Sequence, residues 1–253
     1  MKMKLITIIL SLGTVAMAVP IHSMLGANGV SCVNPDKGIP TAADYVQDGL
    51  IAMWDGIENA GWGVHKANAT IWKDLVGSRD FNLSANATVK RDSLLCNGFS
   101  AWQDGNITEY ITIEIVLKSE SCNGVVWFPG DSNNRIIAHF TSVANPYMQV
   151  MGGNNTKTPT VDDSKKSVSV TYHQLGSKIN GYDVLVNTLV PEYVFVYNTW
   201  SSRNQYTTIG AYGYNSTIRP FIGQIFCIRL YDRALTDEEV CYNYEIDRMR
   251  FGL

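Results

Sequence analysis

A chain of 253 residues with 20 basic and 23 acidic side chains carries a formal charge of −3. That mild acidity argues against nucleic acid or an anionic membrane surface as the main partner. The length suits one large all-β domain, with enough apolar side chains to build a core without staples.

The first residues read as a targeting segment. Lys2 and Lys4 form a basic start, Leu5 to Val15 is an apolar run too short to span a bilayer, and Ala16-Met17-Ala18 has the small-x-small pattern of a cleavage site. Residues 1–18 are therefore read as a signal peptide. The expected location is secreted, periplasmic or cell-surface associated. No cysteine follows the cleavage site as a lipid anchor would require, since Val19 and Pro20 come next. No later stretch reaches eighteen consecutive apolar residues, so no transmembrane span is expected. Residues 19–44, with Pro20, Pro35, Pro40, Gly26, Gly29 and Gly38, have no apolar period and read as an extended leader. The domain is placed at residues 45–253.

Leu50 to Trp54 is the first strand candidate, stopped by Asp55-Gly56. Tyr110 to Leu117 is the clearest: Ile111, Ile113, Ile115 and Leu117 point one way, Thr112 and Glu114 the other. Val116 is less polar than that alternation wants. Val125 to Phe128, Arg135 to Phe140, Tyr147 to Met151, Ser167 to Tyr172, Tyr182 to Asn187, Tyr193 to Tyr197 and Tyr206 to Ala211 follow, separated by Gly, Asn, Ser and Pro. Short strands with no helical run between them predict a sandwich or barrel. On the last strand Phe226, Ile228 and Leu230 alternate with Cys227, Arg229 and Tyr231. Thr236-Asp237-Glu238-Glu239 is a capping box and opens a terminal helix, expected to cover a sheet edge or an open end. Arg229 reads as a structural ion-pair partner.

Five cysteines follow the leader's start: Cys32, Cys96, Cys122, Cys227 and Cys241. An odd number leaves at least one unpaired, and the spacings match no zinc motif. A bridge between Cys227 and Cys241 and a set of buried thiols are both open readings. Asn-x-Ser/Thr sequons begin at Asn68, Asn82, Asn86, Asn106, Asn154 and Asn215.

Two segments carry a resemblance. The tail from Pro220 to Phe251, with Gly223, Ile225, Arg229, Tyr231, Arg233, Ala234, Leu235, Thr236, Glu238 and Glu239, resembles the close of laminin-G-like, concanavalin A-like jelly-roll domains. Asp48 to Trp54 followed by Ile71 to Leu75 looks like the opening of the same domains in secreted proteins of gut bacteria. The resemblance covers about Tyr45 to Leu253. It implies an all-β fold, a two-sheet antiparallel jelly-roll sandwich with a short C-terminal α-helix. The superfamily hosts lectins, glycan hydrolases and adhesion modules, so it does not choose among functions.

Retaining glucanases of this fold place carboxylates on one strand face through a Glu-x-Asp-x-x-Glu pattern. Glu245-Ile246-Asp247 begins like it, but Arg250 stands at the third position and the segment is helical. Glu109 and Glu114 fall on opposite faces of a strand. Nucleophile, P-loop and zinc-helix motifs are absent, and His22, His65, His139 and His173 are scattered.

The favoured expectation is a non-catalytic, lectin-like domain that binds an extracellular glycan through loop aromatics and amides. Its candidate residues are Trp62, Trp102, Trp200, Tyr212, Tyr214 and Asn215. For Trp62, Trp102 and Trp200 a role plugging the sandwich ends stands beside it; Trp54 and Trp72 are read as core. The alternatives are a protein-binding adhesion or assembly domain and a glycoside hydrolase with an atypical carboxylate pair. Calcium (Ca2+) is the one cofactor expected, at Asp131 and Asn133 or at Asp55 and Glu58, where loop oxygens cluster. Laminin-G-like and lectin domains often carry such an ion.

Overall fold

The computed structural model describes residues 38–105, 107, 110–120, 124–128, 138–140, 148–150, 166–175, 178–186, 189–195 and 206–253. The candidate signal peptide and residues 19–37 lie outside them.

Strands run in chain order as β1 (Leu50–Asp55), β2 (Ile71–Trp72), β3 (Phe81–Leu83), β4 (Ala87–Val89) and β5 (Leu94–Asn97). Then come β6 (Ala101–Asp104), β7 (Thr112–Ser119), β8 (Val125–Phe128), β9 (Ala138–Phe140) and β10 (Met148–Val150). The series closes with β11 (Lys166–Leu175), β12 (Lys178–Val186), β13 (Leu189–Phe195), β14 (Tyr206–Ile209) and β15 (Ile222–Tyr231), followed by helix α1 (Asp237–Phe251). Ahead of β1, a 3-10 turn at Ala42–Asp44 is already packed. Ala42 is fully buried and its amide donates to Glu58 Oε1 at 2.8 Å.

Two antiparallel sheets form a β-sandwich. One has the order β13-β12-β11-β7-β15-β5-β4, with β1 also on β15; the other runs β10-β9-β8-β14-β6-β3-β2. β5 and β1 lie one after the other along the same side of β15, opposite Ile222–Ile225 and Cys227–Tyr231. At the junction the Gly56 amide donates to the Phe226 carbonyl at 2.7 Å. A Cβ on Gly56 would stand 2.3 Å from the Asp92 carbonyl oxygen, so only glycine lets the chain leave the sheet there.

Alternation explains the core. Ile113, Ile115 and Leu117 of β7 point inward with Trp54, Ile225, Ile228 and Leu230, and meet Phe81, Ala101, Trp127 and Ile209 of the other sheet. Trp54 packs edge-on to Phe81 at 4.9 Å and lies 5.8 Å from Trp127. The indole N–H groups of Trp54, Trp72 and Trp127 donate to Arg79 O, Asp55 O and Tyr110 Oη, so these large rings are buried without an orphan donor.

The helix does not close an edge or an end. It covers the outer face of the β1/β7/β15 sheet, where Met53, Val116, Phe226, Cys227 and Tyr231 pack with Val240, Ile246 and Phe251. That cover is why Val116 is apolar. The register slips between Ile225 and Cys227, which turns Phe226 to the helix side, against the strict alternation expected for this strand. Cys96, Cys227 and Cys241 are buried thiols, with no bridge between Cys227 and Cys241. Burial pushes the Cys96 thiol up to about 12, which keeps it protonated and unreactive.

Candidate functional site

On β6, Ala101 faces the core and Trp102 the opposite side of its sheet. The register sets Ile71 beside Asn82, Asn82 beside Trp102, Trp102 beside Thr208, and Asp104 beside Tyr206. These residues share the outer face of the second sheet. The Trp102 ring stacks on Phe99 with centroids 5.6 Å apart and planes at 26°. Tyr214 meets both rings edge-on, at 5.4 Å and 5.6 Å, and stacks on Tyr206 at 4.3 Å. Phe99 is buried at the base, Trp102 and Tyr206 are half-buried, and Tyr214 is exposed.

The turn that presents Tyr214 is dictated locally. Gly213 and Asn215 have φ of 96° and 51°, and Thr208 Oγ1 donates to Ala211 O at 3.0 Å. Gly210, φ 89°, passes so close to the Gly98 carbonyl that a Cβ would stand 2.0 Å away. Tyr212 is half-buried and Asn215 exposed in the same turn. Thus the structure joins Trp102 and Tyr214, adds Phe99 and Tyr206, and places Trp102 on a strand rather than in a loop. Period-two spacing of Tyr206 and Thr208 was the available sign for Tyr206; nothing in the sequence pattern marks Phe99.

Trp62 stands elsewhere, exposed on the loop between β1 and β2. Among the described residues no ring contact ties it to the Trp102 cluster. Trp200, Asp131 and Asn133 lie outside the described residues.

Asp55 and Glu58 already hold a cation, the guanidinium of Arg250. Arg250 Nη1 donates to Asp55 Oδ2 at 2.6 Å, and Nη2 to Asp55 Oδ1 and Glu58 Oε1, both at 3.1 Å. The remaining lone pairs accept backbone amides: Ile57 and Glu58 on Asp55 Oδ1, Ala42 on Glu58 Oε1, Gly63 on Glu58 Oε2. A calcium ion there would compete with Arg250 for the same oxygens. No group of three or more metal-ligating side chains occurs among the described residues.

A second buried network lies under α1. Arg229 donates through Nε to Glu114 Oε2 at 2.9 Å and through Nη1 and Nη2 to Asp247 at 2.7 Å and 2.9 Å. Tyr45 and Ser167 donate their hydroxyls to Asp247, and Asn243 Nδ2 donates to Glu114 Oε2 at 2.8 Å. Burial pushes the Glu114 carboxyl above its usual range; Arg229 opposes that and Asp247 reinforces it. Glu114 and Asp247 share one guanidinium and are both buried. Arg229 is the structural ion-pair partner expected.

The two-sheet architecture recurs in solved structures. A mutant of Trypanosoma rangeli sialidase displaying trans-sialidase activity superposes with a TM-score of 0.57 over 83% of this chain, at 15% identity. The same sialidase in complex with sialic acid gives 0.54 over 85% at 16% identity. An HCR/D mutant gives 0.52 over 78% at 12%. The chain spans 34% of the first sialidase's length and 51% of the HCR/D protein's. At these identities the likeness shows the fold, an all-β sandwich. No protein-family model matches the chain. No curated protein sequence matches it either.

Proposed function

We propose that the protein is a secreted, non-catalytic carbohydrate-binding domain of the concanavalin A-like, laminin-G-like type, with its ligand on the outer face of the second sheet. The observation that carries this reading is the Phe99–Trp102–Tyr206–Tyr214 cluster. With Tyr214 exposed and Trp102 and Tyr206 half-buried on this outer face, the cluster supplies aromatic surface on which the apolar face of a sugar ring can stack. Asn82, Asp104 and Asn215, all exposed beside it, supply oxygen and amide groups for the ring's hydroxyls. Among the described residues no helix is long and apolar enough to cross a membrane, which fits a domain that works outside one. In each of the two buried carboxylate networks both carboxyl groups are buried and engaged by a single arginine, which supports binding rather than hydrolysis.

A glycan array probed with the mature protein, with and without calcium, tests the proposal. Binding to one glycan class is expected, weakened about tenfold or more in Trp102→Ala and in Tyr214→Ala, with thermal melts close to the parent's. Silence across plant, host and microbial glycans, or full binding by both variants, overturns it.

A further inference from the structure

The loop from Glu58 to Lys66 is built in an unusual way for a connection between two sheets. Its base is buried and fully hydrogen-bonded. Asn59, buried, donates to the Lys66 carbonyl at 2.9 Å and accepts from the Lys66 amide at 2.8 Å, closing the loop with one side chain. Glu58 accepts from the Gly63 amide at 2.8 Å while Arg250 and the Ala42 amide hold its other oxygen. Above this base the Val64 amide donates to Gly61 O at 2.9 Å.

Trp62 sits at the tip, 45% exposed, with Val64 beside it at 51%. Gly61 and Gly63 flank it at φ of 135° and 68°. A Cβ at either glycine would meet nothing within 4 Å, so both serve backbone shape and not packing. A buried polar scaffold thus holds the backbone of a loop whose tip exposes a tryptophan. Nothing in the fold needs that: Trp54, Trp72 and Trp127 are all buried.

We propose that Trp62 anchors a second carbohydrate-stacking site, one that takes the apolar face of an uncharged pyranose ring. Ala60 to Val64 carries no charged side chain, so the tip itself offers a ring to stack on and no ion pair. Trp62 and Val64 are the two exposed apolar side chains of the tip. A stable protein interface needs about 800 Å² per partner, far more than this tip offers. His65 and Lys66 are both exposed at the loop's end, and His65 Nδ1 lies 3.1 Å from the Ile57 carbonyl oxygen. The hydrogen-bonded base orders the loop backbone before a ligand arrives, which lowers the ordering entropy lost on binding. The proposal rests on the carbohydrate reading above but not on the Trp102 cluster, and it makes the protein bivalent.

Calorimetry on the mature protein separates the possibilities, with cellohexaose, laminarihexaose and mannohexaose as uncharged probes and sialyllactose as the charged control. At least one uncharged probe is expected to fill two sites. Trp62→Ala should weaken one of them about tenfold or more and leave the other, and Trp102→Ala should do the converse. Gly63→Ala, which keeps the indole but strains its loop, should weaken the Trp62 site severalfold with only a small drop in melting temperature. Several results overturn the second site: one-site binding untouched by Trp62→Ala, loss in that variant of sialyllactose binding alone, or loss only of binding to phosphatidylcholine–phosphatidylserine vesicles. Trp102→Ala abolishing all binding while Trp62→Ala changes nothing sinks this inference and leaves the proposed function standing. No binding of any probe, together with a silent array, sinks both.

Discussion

Arg229 shows how much one side chain organises here. It is fully buried, lies with its guanidinium carbon 4.0 Å from the centroid of the Tyr45 ring, and satisfies two carboxylates. Two carboxylates on one guanidinium leave a negative excess in a dry layer, which is why burial prevails at Glu114. The native state therefore holds the Glu114 proton more tightly than the unfolded chain does. That contribution to stability is complete below the ordinary glutamate pKa of about 4.3 and is lost as pH rises through the raised folded value. Glu114→Gln keeps an oxygen for Arg229 and Asn243 but cannot ionise. The stability of the parent relative to Glu114→Gln should fall as pH is raised above about 4. Urea unfolding of both proteins from acid to neutral pH measures this; a difference that is flat or rises with pH contradicts the raised carboxyl.

At the scale of elements, α1 is tied at both ends. Thr236 Oγ1 accepts from the Glu239 amide, Glu239 accepts from the Thr236 amide at 2.9 Å, and Gly252 ends the helix at φ 67°. Arg233 grips both oxygens of Glu239 at 2.7 Å and 2.8 Å, so the Arg-Ala-Leu turn and the cap are one device. Thr236→Ala should cost about 1 kcal/mol, read as a lower urea midpoint at unchanged slope. A larger loss would mean that the helix, and not its first turn alone, had come off the sheet. This cap was legible in the sequence because it is local, four residues at fixed spacing. So was β7, which alternates from Thr112 to Leu117 except at Val116. β2 to β6 were not: they are two to four residues long and carry neither a period nor an apolar run like the Val-Val-Trp-Phe of β8. Trp102 was misplaced in a loop for that reason. The face that α1 covers was also hidden: Asn243 and Asp247 read as polar helix positions, and only the buried Glu114 and Arg229 beneath them explain their burial.

For the molecule as a whole, the helix makes the two outer faces of the sandwich unequal. The face bearing Val116 and Phe226 is sealed by Ile246 and Phe251. The face bearing Asn82, Trp102 and Asp104 carries no helix among the described residues, and the turn at Tyr214 folds over part of it. A glycan held as proposed can therefore reach one sheet and not the other. Hydroxyl-radical footprinting can see this directly, because aromatic and sulfur side chains are oxidised in proportion to their exposure. Adding the glycan found on the array should protect Tyr214, Trp102 and Tyr206. Met249, 40% exposed on α1, should be oxidised at the same rate with or without it. Trp62 reports separately: protection there at the same or higher glycan concentration counts for the second site, and unchanged oxidation counts against it. Protection of Met249 instead of Tyr214 would place the ligand on the helix side and overturn the assignment of the outer face of the second sheet.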